Sequence, residues 1–286
     1  MDLPDARVPL LSRVQPLREW VTTFGALSWS GFRRYMSYRQ ATIAGSFTNI
    51  VFGFLRCYVL LAVAAGAAGQ QAAGYDARQL VSYVWVGQGL FAVILLWGWT
   101  ELAERIRTGE VTADLLRPVH PVTSYLAADL GRALHALIFR FLPPLAAGAL
   151  FFDLYVPQRW FTVPLFAVSI VLATVASFLL RFLVNASAYW LHDARGPMTF
   201  WTLSSGVLVG LYFPLRFLPD WLTVVLYVAT PFPGLMQTPA DVLVERDPVP
   251  LQWGLVGLQL IWVFLLLGLA RLVQHRAQRR LVAQGG

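Results

Sequence analysis

Four histidines, one cysteine and fifteen carboxylates are the residues of this sequence that could hold a metal or move a proton. Their spacing supports neither role. His120, His135, His192 and His275 include no i,i+4 pair and no His-Glu-x-x-His run, so no helix carries two imidazoles toward one zinc ion. The His192 and Asp193 pair reads as a solvated turn and not as a base. Cys57 stands alone inside an apolar run, which removes disulfide frameworks and cysteine metal sites. There is no Gly-x-Ser-x-Gly elbow and no dense carboxylate cluster, so elbow-type hydrolysis and metal-assisted phosphoryl chemistry lack their residues. Lysine is absent, and all 22 basic residues are arginines, which excludes a Walker A loop and Schiff-base chemistry. No catalytic residue, metal site or bound cofactor is therefore expected in this chain.

What remains are charges in unusual places. Residues 99–121 hold Glu101, Glu104, Glu110 and Asp114 with Arg105, Arg107 and Arg117, between two long apolar runs. The acid-first pairs Glu101 to Arg105 and Glu104 to Arg107 predict a short polar helix over 100–108, ended by Gly109. Asp114 to Arg117 reads as a second, shorter helical piece closed by Pro118 and Pro121. A charged helix-turn element just outside a bilayer offers a grip to another protein; the plain alternative is a solvated loop whose charges keep it out of the lipid. Arg56, Arg140 and Arg181 lie inside apolar runs, where each costs about 2.5–3.5 kcal/mol on insertion scales. With Asn185 they are candidates for a translocation path admitting an amphiphile with an anionic head. The alternative is snorkelling to headgroups or bonding to a neighbouring helix. No carboxylate is expected level with these arginines, because Asp129 and Asp153 fall near the ends of their apolar run.

The elements that must position these charges follow from composition. Of 286 residues 57% are apolar and 13% charged, against roughly 25% charge in soluble domains. That is a polytopic membrane protein. The formal charge of +7 does not signal nucleic acid, because the arginines sit at the ends of apolar runs and not in one soluble block. Within residues 1–40, Arg7, Arg13, Arg18, Arg33, Arg34 and Arg39 interrupt every apolar stretch, so no secretory signal is expected. Leu17, Trp20, Val21, Phe24 and Leu27 recur at helical spacing and predict an amphipathic helix lying in the membrane interface; packing against soluble protein is the alternative.

Spans are expected at about 41–65, 80–98, 126–152, 162–191, 198–217 and 251–274, lengths suited to a hydrocarbon core of ~30 Å. Trp97 and Trp99 read as interfacial anchors, and Pro143 with Pro144 should kink the third span. Residues 218–247, rich in proline around the short apolar run 221–229, read as a re-entrant or interface-lying outer segment. A basic tail fills 275–286. Gly206 and Gly210 form a GxxxG in the fifth span, available for helix packing or for a dimer contact. With both termini in the cytoplasm, 14 arginines fall inside, 4 outside and 4 within spans, so that orientation is preferred.

This layout resembles the permease of a type-2 ABC exporter. The residues that carry the resemblance are 109–118 (GEVTADLLRP), leading into Ser124 to Arg132, and 214–231 (PLRFLPDWLTVVLYVATP). The resemblance implies an all-α integral membrane protein with six transmembrane helices. It also implies an N-terminal interfacial helix, a cytoplasmic coupling helix at 100–117 and a re-entrant outer segment before the last span. It implies ABC ATPase subunits as partners, which bind the ATP and magnesium that this chain cannot, and a second permease, identical or related. Glu101, Glu104, Arg105, Arg107, Glu110 and Arg117 would make the ATPase contact. Arg117 stands where many members have a small or polar residue, so homodimer and heterodimer both remain open. The all-arginine composition suggests a bacterial plasma membrane. Two other classes compete: an intramembrane lipid-modifying enzyme, and a secondary transporter, which would need deep carboxylates or two related halves.

Overall fold

The computed structural model describes residues 17–66, 73–191 and 193–284. Arg7, Arg13 and His192 lie outside the described residues. Every regular element among those described is helical, as hydrocarbon demands of chain segments that must satisfy their own backbone donors and acceptors. Helix α1 (Leu17–Met36) leads into α2 (Arg39–Gly66), and α3 (Ala77–Ile94) follows. Asp76 starts α3 with a capping box: its carboxylate accepts from the Gln79 amide, while the Gln79 side chain accepts from the Asp76 amide. The charged island folds as α4 (Glu101–Thr108) and α5 (Val111–Leu115).

The third apolar run is α6 (Pro121–Ala136), a π-helical turn over Leu137–Phe141, and α7 (Leu142–Phe151). The expected disturbance at Pro143 and Pro144 takes the form of this widened turn. Pro143 has no amide for the Phe139 carbonyl, and that orphaned oxygen accepts instead from Ser46 Oγ of α2 at 2.9 Å. Helices α8 (Thr162–Ala186) and α9 (Ala188–Leu191) continue almost in line, and α10 (Arg195–Leu208) returns. Two short helices, α11 (Asp220–Ala229) and α12 (Gln237–Leu243), precede α13 (Val249–Gln284).

Four helical stretches are long and apolar enough to cross a membrane: Arg39–Gly66, Pro121–Phe151, Thr162–Leu191 and Val249–Arg279. The other two expected spans differ from the prediction. Helix α3 ends at Ile94, not 98, with Leu95 at a φ of 51°, and all but a few of its side chains are buried among other helices. Trp97 and Trp99 are consequently not simple interfacial anchors; the Trp97 indole donates to Ser205 Oγ at 2.9 Å, and Trp99 packs on Tyr125 and Phe178. Helix α10 has 14 residues, about 21 Å, and stops at Leu208. Gly210 then turns left-handed (φ +82°), outside the helix, so Gly206 and Gly210 do not form one helical seam. Gly206 instead receives the ring of Tyr212 from its own chain. The basic tail is no separate element: without glycine or proline before Gly285, its Arg, Gln, Leu and Ala residues extend α13 to Gln284.

Helix α1 is not merely laid on a lipid surface. It packs along α6, backbone against backbone, at Gly31 and Gly131, while Trp29 remains exposed on its other side. Helices α2, α3 and α7 close around Trp85, which is fully buried between Gly53 and Gly148. Toward the start of α3, the 218–247 segment is fixed by a buried polar knot. Asp241 accepts from the hydroxyls of Tyr75 and Tyr227 and from Gln237, and pairs with Arg216. Arg216 reaches on to Asp247 at 2.7 Å.

Candidate functional site

The site is built from the end of α3. A helix leaves its last carbonyls unpaired, and here the last three, with one just beyond the helix, find donors on three other helices. Ala92 O and Val93 O accept from Arg132 of α6 at 3.1 and 2.7 Å, Ile94 O from Ser177 of α8 at 2.9 Å, and Leu96 O from the Trp201 indole of α10 at 2.6 Å. The chain thus enters α4 from a fixed point.

Arg132 also donates to Asp129 at 2.7 Å, and Asp129 accepts from Arg181 of α8 at 2.8 Å. All three side chains are at most 7% exposed. The expectation that no carboxylate sits level with the in-span arginines is therefore corrected. Counted from Pro121, where α6 begins, Asp129 is two turns into the helix, not at its edge. Arg181 is engaged by that carboxylate.

Asn185, one turn beyond Arg181, joins this triad to α4. Its amide nitrogen donates to Arg181 O at 2.8 Å and to Trp99 O at 3.0 Å, and its Oδ1 accepts from the Ala103 amide at 3.1 Å. Thr100, at the capping position, makes no side-chain cap, so a residue from α8 satisfies the free amide of α4's first turn. Arg34 of α1 pairs with Glu101 at 3.0 Å. Arg105 grips Asp114 through two bonds of 2.8 and 3.0 Å, and the Tyr125 hydroxyl of α6 donates to the same carboxylate at 2.7 Å.

The expected Glu101 to Arg105 pair is thus not made. Gly109, left-handed at φ +80°, turns the chain so that α5 folds back and brings Asp114 against Arg105; the bidentate bond to a buried acid is the stronger contact. Glu104 and Arg107 do pair, at 2.5 Å, and that bond holds the Glu104 carboxyl below its ordinary range.

Of the six residues put forward for a protein contact, Glu104, Arg107, Glu110 and Arg117 face outward, whereas Glu101 and Arg105 are partly buried, Glu101 fastening the element to α1 and Arg105 holding α4 to α5. Leu116, which sequence reasoning passed over, is 87% exposed at the tip of α5. Its signal was an apolar residue inside an otherwise polar turn. Asp129, Asp114, Tyr125 and Arg34 were also passed over as site residues. Only the i,i+3 spacing of Asp129 and Arg132 could have pointed to the triad. Beside α4, a groove of about 490 Å³ is lined by Thr100, Glu104, Arg107, Asp193 and Arg195 over a floor of Ala103 and Met198. Hydrogen bonds from the Arg195 amide and guanidinium hold the Asp193 carboxyl low, so the groove keeps both signs of charge through neutral pH.

The remaining candidates lie elsewhere. Arg56 donates to Leu211 O at 2.8 Å and covers the Tyr212 ring. Arg140 lies near the junction of α1 and α2, away from Arg56 and the Asn185 clamp. Among the described residues no group of His, Cys, Asp or Glu is arranged to hold a metal ion.

A family model described as "ABC-2 family transporter protein" matches residues 49–285, most of the chain and all of α3 to α13. No curated protein and no solved structure matches it.

Proposed function

Because the chain belongs to the ABC-2 transporter family and is the membrane component of an ABC transporter, we propose that it forms half of the dimeric path of an ATP-driven exporter. In this reading it crosses a bacterial plasma membrane six times with both termini in the cytoplasm. Helices α3 and α10 supply the second and fifth crossings; their shortness is offset by enclosure within protein, where backbone ends are bonded to neighbouring helices. Helices α4 and α5 dock in a separate ATPase subunit, which binds ATP and magnesium. A second permease, identical or related, completes the path.

One observation carries this reading. The outward charges of α4 and α5 sit on an element tied to three other helices: through Glu101 to α1, through Asp114 to α6 and through Asn185 to α8. A solvated loop needs no such anchorage. A push on α4 is delivered to these helices as a rigid displacement. On this account Arg181 and Asn185 transmit force and do not line the path, and Arg56 braces the turn after α10.

The test is affinity purification of the tagged chain from its native membrane, comparing wild type with a Glu104→Arg, Glu110→Arg double variant. Reversing two exposed charges on a contact face should lower the co-purified Walker-motif ATPase by about tenfold or more, while insertion is unchanged. Equal recovery of the ATPase with the variant, or none with wild type, overturns the docking role.

A further inference from the structure

A second site lies where α1 turns into α2. A pocket of about 310 Å³ is lined by Arg34, Tyr35, Tyr38, Thr42, Arg132 and Arg140, with His135 at its wall. Among the described residues, four guanidinium groups, counting Arg181 behind Arg132, meet two carboxylates there, Glu101 and Asp129. Two positive charges are left uncompensated. Arg140 is the one most clearly without a partner: among the described residues it pairs with no carboxylate, and its buried Nε makes no hydrogen bond. Holding a partly buried guanidinium in this state is costly unless something anionic completes it.

Its depth indicates what that is. The Arg140 guanidinium stands 2.5 Å from where a side chain on Gly45 would begin. Gly45 is six residues into α2, about 9 Å along the helix from its first residue. The charge is therefore directed back toward the headgroup level and not to the bilayer centre. Exposed Ile43 and Phe47 on α2 and Leu142 on α7 continue from the pocket along the same helices, as acyl chains require. Tyr35 and Tyr38 supply hydroxyl donors beside the arginines.

We propose that this pocket binds the phosphate of an anionic glycerophospholipid, with Arg140 and Arg34 as its principal ligands. The site stands on membrane embedding alone and does not depend on ATPase docking. Because Arg34 also holds Glu101, an occupied pocket draws on the same guanidinium that anchors α4.

The experiment is native mass spectrometry of the purified full chain incubated with dioleoyl phosphatidylglycerol or dioleoyl phosphatidylcholine, with glycerol phosphate as a soluble competitor. Wild type should retain phosphatidylglycerol in preference to phosphatidylcholine. Arg140→Gln should weaken that retention about tenfold, Arg140→Lys should keep most of it, and Arg271→Gln, an exposed arginine on α13, should leave it unchanged. Gly45→Ala, which crowds the guanidinium without removing its charge, gives a second variant should Arg140→Gln fail to fold; it too should lower retention. Displacement of the lipid by glycerol phosphate at comparable concentration overturns the lipid as source and assigns the pocket to free phosphate esters. Equal retention of both lipids by wild type, or undiminished retention by folded Arg140→Gln or Gly45→Ala, overturns the site.

Discussion

Asp129→Asn is expected to lower the stability of the folded chain by about 3–5 kcal/mol, the range found when one partner of a buried ion pair is removed. Among the described residues Asp129 is the one carboxylate that pairs with Arg132 and Arg181, and all three side chains are nearly inaccessible. Neutralising it leaves two buried guanidiniums facing each other. Arg132 retains the Ala92 and Val93 carbonyls, but Arg181 keeps no acid and has a buried Nε already without a partner. The check is thermal unfolding in detergent together with the yield of monodisperse protein. Both should fall sharply for Asp129→Asn. Adding Arg181→Gln should recover a substantial part, because an Asn–Gln pair is neutral and can hydrogen-bond. If Asp129→Asn unfolds at the wild-type temperature, the triad is not what holds α6 to α8.

Helices were legible in the sequence because apolar runs and proline or glycine punctuation are local properties. The island was read as two helical pieces split at Gly109 and both form, although the second runs Val111–Leu115 and not Asp114 to Arg117; the Glu104 to Arg107 pair forms as its spacing implies. What the sequence could not convey was partner choice. Arg105 has Glu101 one turn away, yet binds Asp114, because a left-handed glycine reverses the chain and brings a distant acid closer. Asn185 looked like a polar residue facing a path, and its true neighbours, Trp99 and Ala103, are more than eighty positions away. Asp129 was misplaced because a span's edge was judged by hydropathy, while the helix itself starts earlier, at Pro121. Span lengths failed for a related reason. Val209 to Phe213 is apolar enough to extend α10, but the left-handed turn at Gly210 and then Pro214 end it.

Glycine packing shows the same limit and yields the second large effect. The GxxxG of Gly206 and Gly210 was the visible motif, whereas the backbones of α1 and α6 meet at Gly31 and Gly131, which share no motif at all. A Cβ on Gly131 would stand 1.8 Å from Ser28 O and 2.8 Å from the Phe32 amide nitrogen; one on Gly31 would stand 2.1 Å from Ala128 O. These are backbone atoms, so no rotamer change relieves the clash, and α1 must move away from α6. Gly131→Ala should therefore cost about 1–3 kcal/mol of local packing and expose the α1–α2 junction. Trypsin cleavage at Arg33, Arg34 or Arg39 should accelerate by about tenfold or more, since opening of the segment governs its proteolysis. Gly25→Ala, with nothing within 4 Å of the added carbon, should leave cleavage unchanged. Equal cleavage of wild type and Gly131→Ala would mean that α1 is not held by this contact. If α1 does release, Arg34 leaves Glu101, and α4 keeps its ties to α6 and α8 but loses the one to α1. If α4 and α5 dock an ATPase as proposed, it should then still co-purify, because their outward face is untouched, while transport per ATP hydrolysed falls. Separate loss of transport and of docking would assign α1 to force transmission and the outward charges to recognition.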